Sequence, residues 1–480
     1  MPHLRTGALA LFLFFVIPGT LAAQPSWQRI EDFRSDLTAE AQADATAIRA
    51  RALATEAYLW GLPAFLNFRQ ATEFKAARRH LAPDAEPFGG WMLLRDLATP
   101  DVDNALPNVD TLYGAAYVHL GKQGPVVLDL PDIEDRYYSV ALVDAYFNNF
   151  EVLGTRTLGG RAGRFLIVPP GWSGTAPPHI ARVIESPTPV MAIYQRIYVR
   201  GPADVPAVRK LQDAIALYPS GGAPGDPFPR IDTPEFDVST PVRDTRDPLD
   251  YFRFVNRYTG VNPPSVEYRA LTASFADAGI GPGAALPTDD MRREAIRAGA
   301  TDAQKVIDGA ISAGPFRNGW RLPDPKGAKP GPYILSQAVL QISQIGSLPA
   351  DEAVYYVGRR DAAGELLDGR SHYTLTFPAG QLPPVDDRGF WSLTMYRASN
   401  NLLVANDLDR YVIRPTTPGL ALNGDGSLTL HLSHERPEGV PEGNWLPAPA
   451  EGFLVALRAY LPKEAARNET WFPPAIGKVE

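Results

Sequence analysis

Cysteine does not occur anywhere in the 480 residues. That absence rules out disulfides, thiolate nucleophiles and cysteine-held metal or iron–sulfur centres. A chain of this length can still be stable outside the cytoplasm, because it buries a core large enough to hold without cross-links. A basic surplus is lacking too: 46 Lys and Arg face 54 Asp and Glu, for a net charge of -8. This balance argues against a nucleic-acid partner and supplies no basic patch for anionic lipid. Beyond the N-terminal segment, no run approaches the roughly eighteen apolar residues of a membrane span. Familiar catalytic signatures are also missing: no GxSxG elbow, no P-loop, no GxGxxG with a following acid. Neither HExxH nor HxH occurs, and His431 and His434, three apart, would face opposite sides of a strand. The expectation is no metal and no cofactor.

What is present starts with Arg5, an apolar run at 8–17, the breakers Pro18 and Gly19, and Thr20-Leu21-Ala22-Ala23. A positive start, a short apolar stretch and a small-residue site mark a secretory signal, expected over residues 1–23. The alternative is a buried N-terminal helix. On the signal reading the mature protein is soluble, without a membrane span, and periplasmic or secreted.

The 47 prolines and 41 glycines are spread along the chain, punctuating short elements rather than forming a linker. Residues 24–100 read as a helical segment, interrupted at Gly61-Leu62-Pro63. From 101 to 202 the period is two. Thr111, Tyr113, Ala115, Tyr117 and His119 fall on one face of a strand, and Leu112, Gly114, Ala116 and Val118 on the other. Residues 203–330 read as a helical insert with Pro/Gly-rich loops. Strands return over 331–480, the first at 332–341. The fold class is therefore mainly β, with helical segments and two sandwich-like domains.

Several runs resemble a known family. Asn108-Val109-Asp110-Thr111-Leu112-Tyr113, Arg136-Tyr137-Tyr138-Ser139 and Asp144-Ala145-Tyr146 are similar to domain-of-unknown-function family 1254. Phe390-Trp391-Ser392-Leu393-Thr394-Met395-Tyr396, Asn444-Trp445-Leu446-Pro447 and Leu457-Arg458-Ala459-Tyr460 resemble its C-terminal companion, family 1214. The resemblance implies an immunoglobulin-like N-terminal sandwich, a helical insert, a C-terminal jelly roll and a homo-oligomer. It implies nothing about activity.

Candidate chemistry concentrates in the first β region. Asp110, following Pro107 and Asn108, reads as a general base or polar anchor with Asn108 and Tyr113 beside it, or as a strand-entry cap. Asp144, Tyr146 and Asn148 alternate, so on a strand they share one face; the alternative is an exposed strand end. If Asp110 and Asp144 converge, they form a carboxylate pair suited to acid–base work. His119 shares a face with Tyr113 and Tyr117 and is the acid–base histidine, or else a hydrogen-bonded strand residue. Trp391, Tyr396 and Trp445 are aromatic ligand-binding candidates, against core filling, with Trp445 placed in a loop. Arg196 and Arg458 sit in apolar strands; a buried arginine needs a partner, and Asp110 or Asp144 would serve.

The functional expectation is a cofactor-free enzyme doing hydrolysis, elimination or isomerisation on a small organic molecule. Its catalytic residues would be Asp110, Asp144 and His119. Its substrate contacts would be Asn108, Tyr113, Tyr146, Asn148, Trp391, Tyr396 and Trp445. The rival is a periplasmic ligand-binding or structural envelope protein without catalysis.

Overall fold

The computed structural model describes residues 37–102, 106–236, 247–322, 324, 328, 331 and 333–479. The signal segment expected at 1–23 lies outside them. Helix makes up 32% of the chain and strand 26%.

The alternation read from the sequence becomes the strand Thr111–His119. It sits in a five-stranded sheet ordered Met92–Leu93, Thr111–His119, Val190–Tyr198, Tyr138–Asp144 and Asn149–Gly154. A four-stranded sheet faces it, ordered Arg182–Glu185, Gly163–Val168, Val126–Leu130 and Ala216–Pro219. Leu112, Leu128, Val140, Phe165 and Ile193 fill the space between them. Every residue of Tyr138–Asp144 is buried, on both faces. The reason is a second cover: Tyr117, Ala141, Val143 and Ala192 join a helical core on the other side.

That cover is built on the helix Ala39–Leu81, whose N-cap Thr38 accepts from the Ala41 amide. The interruption expected at Gly61-Leu62-Pro63 does not occur; the helix runs through Pro63. Packing overrides the local penalty. Gly61 lies so close to Val255 and Tyr251 that a Cβ there would come within 2.8 and 2.9 Å of them. The neighbouring helices are Pro248–Val261, Asp290–Ser312 and Ile334–Ser343. The two helical stretches of the sequence thus form one layer in space.

The last of these helices replaces the strand expected at 332–341. Ile334, Gln337, Ala338 and Gln341 are its buried residues, spaced three and four apart. A short, largely apolar run carries no clear period, and here the helical one holds.

The C-terminal sheets are again paired. Six strands are ordered Phe316–Arg317, Trp320–Arg321, Ala353–Gly358, Phe453–Pro462, Val385–Arg397 and Val412–Ile413. Four are ordered Trp445–Pro447, Leu428–Ser433, Tyr373–Phe377 and Gly477–Lys478. Tyr356, Leu375, Trp391, Leu430 and Val455 pack between them. The six-stranded sheet turns its outer face to the first sandwich and helical layer, and the site lies there.

Candidate functional site

The strands Ala353–Gly358 and Phe453–Pro462 alternate. Tyr356, Val455 and Leu457 enter the C-terminal core, so Tyr355, Arg458 and Tyr460 point the other way. Opposite them stand Tyr113 and Arg196, paired across the first sheet. Between the two faces is a cavity of about 910 Å3, closed on a third side by Gln70 and Phe74 of the long helix.

The polar groups in it form two hydrogen-bonded sets. Asn108 Nδ2 donates to the hydroxyls of Tyr460 at 2.7 Å and Tyr113 at 3.1 Å. Tyr117 and Tyr194 share a hydroxyl contact at 2.8 Å, and Tyr194 donates to Gln70 Oε1 at 3.0 Å. Burial pushes the Tyr460 phenol well above its ordinary value and Tyr194 up to about 12. These phenols therefore stay protonated at neutral pH.

Arg458 is consumed by structure: Nη1 donates to Thr394 Oγ1 at 2.9 Å, and Nη2 to the Tyr396 hydroxyl at 2.8 Å. Arg196 is different. It is 6% exposed and stacks over the Tyr113 ring at 5.3 Å. Nη2 donates to the Gly346 carbonyl at 2.6 Å, while Nη1 has no partner. Among the described residues, no carboxylate pairs with it.

Asn108 and Tyr113 are the expected site residues that line the cavity. The carboxylate pair does not form. Asp110 and Asp144 abut opposite ends of the strand Val190–Tyr198: the Val199 amide donates to the Asp110 carbonyl, and Asp144 pairs with Met191. Eight residues of extended chain, 191 to 199, separate them by about 26 Å. Asp110 is fully buried at the junction of the sandwiches, accepting from Ser392 Oγ at 2.5 Å, with Arg414 Nη1 at 3.6 Å. Its charge ties one domain to the other, and the expected arginine partner is Arg414 rather than Arg196 or Arg458.

Tyr146 and Asn148 do not continue a strand with Asp144. They belong to a tight turn in which Phe147 takes φ 61°. Asp144 Oδ1 accepts from the Tyr146 and Asn148 amides at 2.8 and 2.9 Å, and Oδ2 from Asn148 Nδ2 at 3.0 Å. The carboxylate is an internal cap. Burial raises it to about 6, against the pull of those three bonds.

His119 shares the strand face of Tyr113 but lies beyond the cavity, at the end of the strand, bonded through Nε2 to Glu235 at 2.8 Å, with Lys122 3.3 Å from the same carboxylate. Burial alone would raise Glu235, but the His119 bond and the neighbouring charges hold it at about 2. Trp391 fills the C-terminal core against Phe377. Tyr396 is buried behind the cavity, its hydroxyl donating to the Pro107 carbonyl at 2.7 Å. Trp445 is in a strand rather than a loop, its ring nitrogen bonded to the Ser433 carbonyl at 3.1 Å.

Two largely antiparallel sandwich domains bridged by helices, with a tyrosine- and arginine-lined cavity between them, define the class. The chain belongs to the two-domain family that joins "Protein of unknown function (DUF1254)", matched at 91–219, to "Protein of unknown function (DUF1214)", matched at 352–464. The first match runs from the strand Met92–Leu93 to the strand Ala216–Pro219, the limits of the first sandwich. No curated protein matches the chain. Among solved structures, the VPA0106 protein of Vibrio parahaemolyticus is 20% identical, with a TM-score of 0.66 over 90% of this chain and 100% of its own. A putative uncharacterized protein from Burkholderia cenocepacia is 13% identical, with a TM-score of 0.43 over 92% and 96% of the two chains. The likeness to the Vibrio protein extends the shared fold across both sandwiches and says nothing of activity.

Proposed function

We propose that the chain binds a small organic anion in the cavity between its sandwiches, with Arg196 as counter-charge and Tyr113, Tyr355 and Tyr460 orienting the bound molecule. One observation carries this reading: a buried guanidinium with an unused donor lines a large cavity and has no ion-paired carboxylate among the described residues. Holding an unpaired charge out of water costs several kcal/mol. An anionic ligand would offset that cost, and the size suits one, since ligand cavities run from about 300 to 1,000 Å3. Titration of benzoate into the purified protein, followed by calorimetry, tests it. Saturable binding should weaken at least about tenfold in Arg196→Met, because a charge-assisted bond is worth about 1.5–3 kcal/mol. Equal binding by the variant would refute the proposal.

A second reading has its own support. Asn108 joins two phenols beside the guanidinium. On that reading Tyr113 or Tyr460 gives a proton to the bound anion in a cofactor-free elimination, isomerisation or hydrolysis. Tyr460→Phe would then abolish turnover while leaving affinity nearly intact.

We also place the work of the chain outside the cytoplasm, on the signal pattern at 1–23. No described helix is long and apolar enough to cross a membrane. Mass spectrometry of the expressed protein should find a mature terminus just after Ala23; an intact N-terminus in the cytoplasm would count against export.

A further inference from the structure

We infer that the anion is the head of an amphipathic molecule: a monocarboxylate whose apolar body lies along Met92, Leu94, Leu97 and Ala98. This rests on the proposed anion site and names the class of ligand it takes.

The argument is positional. Leu93 pairs with Gly114, the Leu94 amide donates to the Tyr113 carbonyl at 2.8 Å, and Tyr113 pairs with Arg196. Leu94, Tyr113 and Arg196 therefore form one row across three adjacent strands, on the cavity face. Met92, Ala115 and Tyr194 form the next row. Strands lie about 4.8 Å apart, so the guanidinium's strand and the leucine's are roughly 10 Å from each other. Arg196 thus stands at one side of the cavity and Met92 and Leu94 at the other, where the flanking Arg95 and Asp96 are held in ion pairs with Asp213 and Arg209.

The apolar side also reaches the mouth. Leu94 is 54% exposed, although it lines the cavity together with the less exposed Met92, Leu97 and Ala98. A single exposed leucine needs no explanation, but one that continues a recessed apolar wall marks a binding surface. A second guanidinium would favour a dianion. The two other guanidiniums of the lining are committed, Arg458 to Thr394, Tyr396 and the Leu106 carbonyl and Arg95 to the Asp213 carboxylate. One free donor group at one end specifies one anionic head.

The test is calorimetric titration of the full chain with acetate, butyrate, hexanoate and octanoate, using wild type, Leu94→Asn and Arg196→Met. In wild type, affinity should rise roughly fourfold per added methylene until the wall is covered. Leu94→Asn, at an exposed position that folding tolerates, should reduce that gain for octanoate but leave acetate unchanged. Arg196→Met should weaken every member at least about tenfold and keep the chain-length slope. If octanoate binds no better than acetate, or Leu94→Asn leaves the slope intact, the amphipathic inference falls while the anion site stands. If Arg196→Met binds the series as wild type does, the anion site itself falls.

Discussion

Asp144 shows how one carboxylate can look catalytic and serve as a turn cap. It is buried, raised to about 6, and ringed by donors, as a general base would be. Its bonds nevertheless all stay within the turn that holds Phe147 at positive φ. The shift has a stability consequence with a definite sign. A folded value above the ordinary 3.8 means stability present at low pH and lost as pH rises through about 6. Two units correspond to about 3 kcal/mol at neutral pH. Asp144→Asn should therefore match wild type near pH 4 and be the more stable of the two near pH 7.5, by chemical denaturation at both pH values. A variant that loses stability equally at both would show that the ionised form is the favoured one. At this scale the sequence made Asn108 and Tyr113 legible, since a polar entry into an alternating strand points somewhere. Arg196 and Arg458 also carried a signal, a lone cation in an apolar strand. Their partners were not readable, because Gly346, Thr394 and Tyr396 are far from them in sequence.

Elements are held at their ends by polar pairs that local pattern cannot reveal. The strand Thr111–His119 ends in a histidine on the alternating face, where the sequence suggested chemistry. Its partner Glu235 lies 116 residues on, in the short helical turn Pro234–Phe236. The pair pins that turn and the helix Leu120–Gln123, which supplies Lys122, to the strand end. Glu235 sits below its ordinary value, so its contribution is present above about pH 4.5 and is lost as pH falls toward 2. Glu235→Gln removes the buried carboxylate that His119 and Lys122 share. Breaking such a pair costs about 3–5 kcal/mol. The variant should lose that stability at neutral pH, and the gap should narrow in acid; a loss under 1 kcal/mol at pH 7 would show the pair to be dispensable. The same non-local logic explains the helix that runs through Pro63 and the helix in place of the 332–341 strand. Residue pattern located the segments, and packing partners chose their form.

Three layers converge on the cavity, and none of them closes it alone. The first sandwich contributes Tyr113 and Arg196, the C-terminal sandwich Tyr355 and Tyr460, and the long helix Gln70. Asp110 ties the two sandwiches behind it through Ser392 and Arg414. A ligand seated between them adds a further tie, so its binding energy should appear as stability of both sandwiches at once. At a hundredfold excess over Kd, linkage gives about 2.7 kcal/mol. Hydrogen exchange with saturating octanoate should therefore slow in Thr111–His119, Val190–Tyr198, Ala353–Gly358 and Phe453–Pro462 together. Asp110→Asn, which weakens the tie but leaves the cavity lining untouched, should make this protection larger relative to the unliganded variant. Slowing confined to one sandwich would place the ligand on that domain alone and remove the reason for joining the two in one chain.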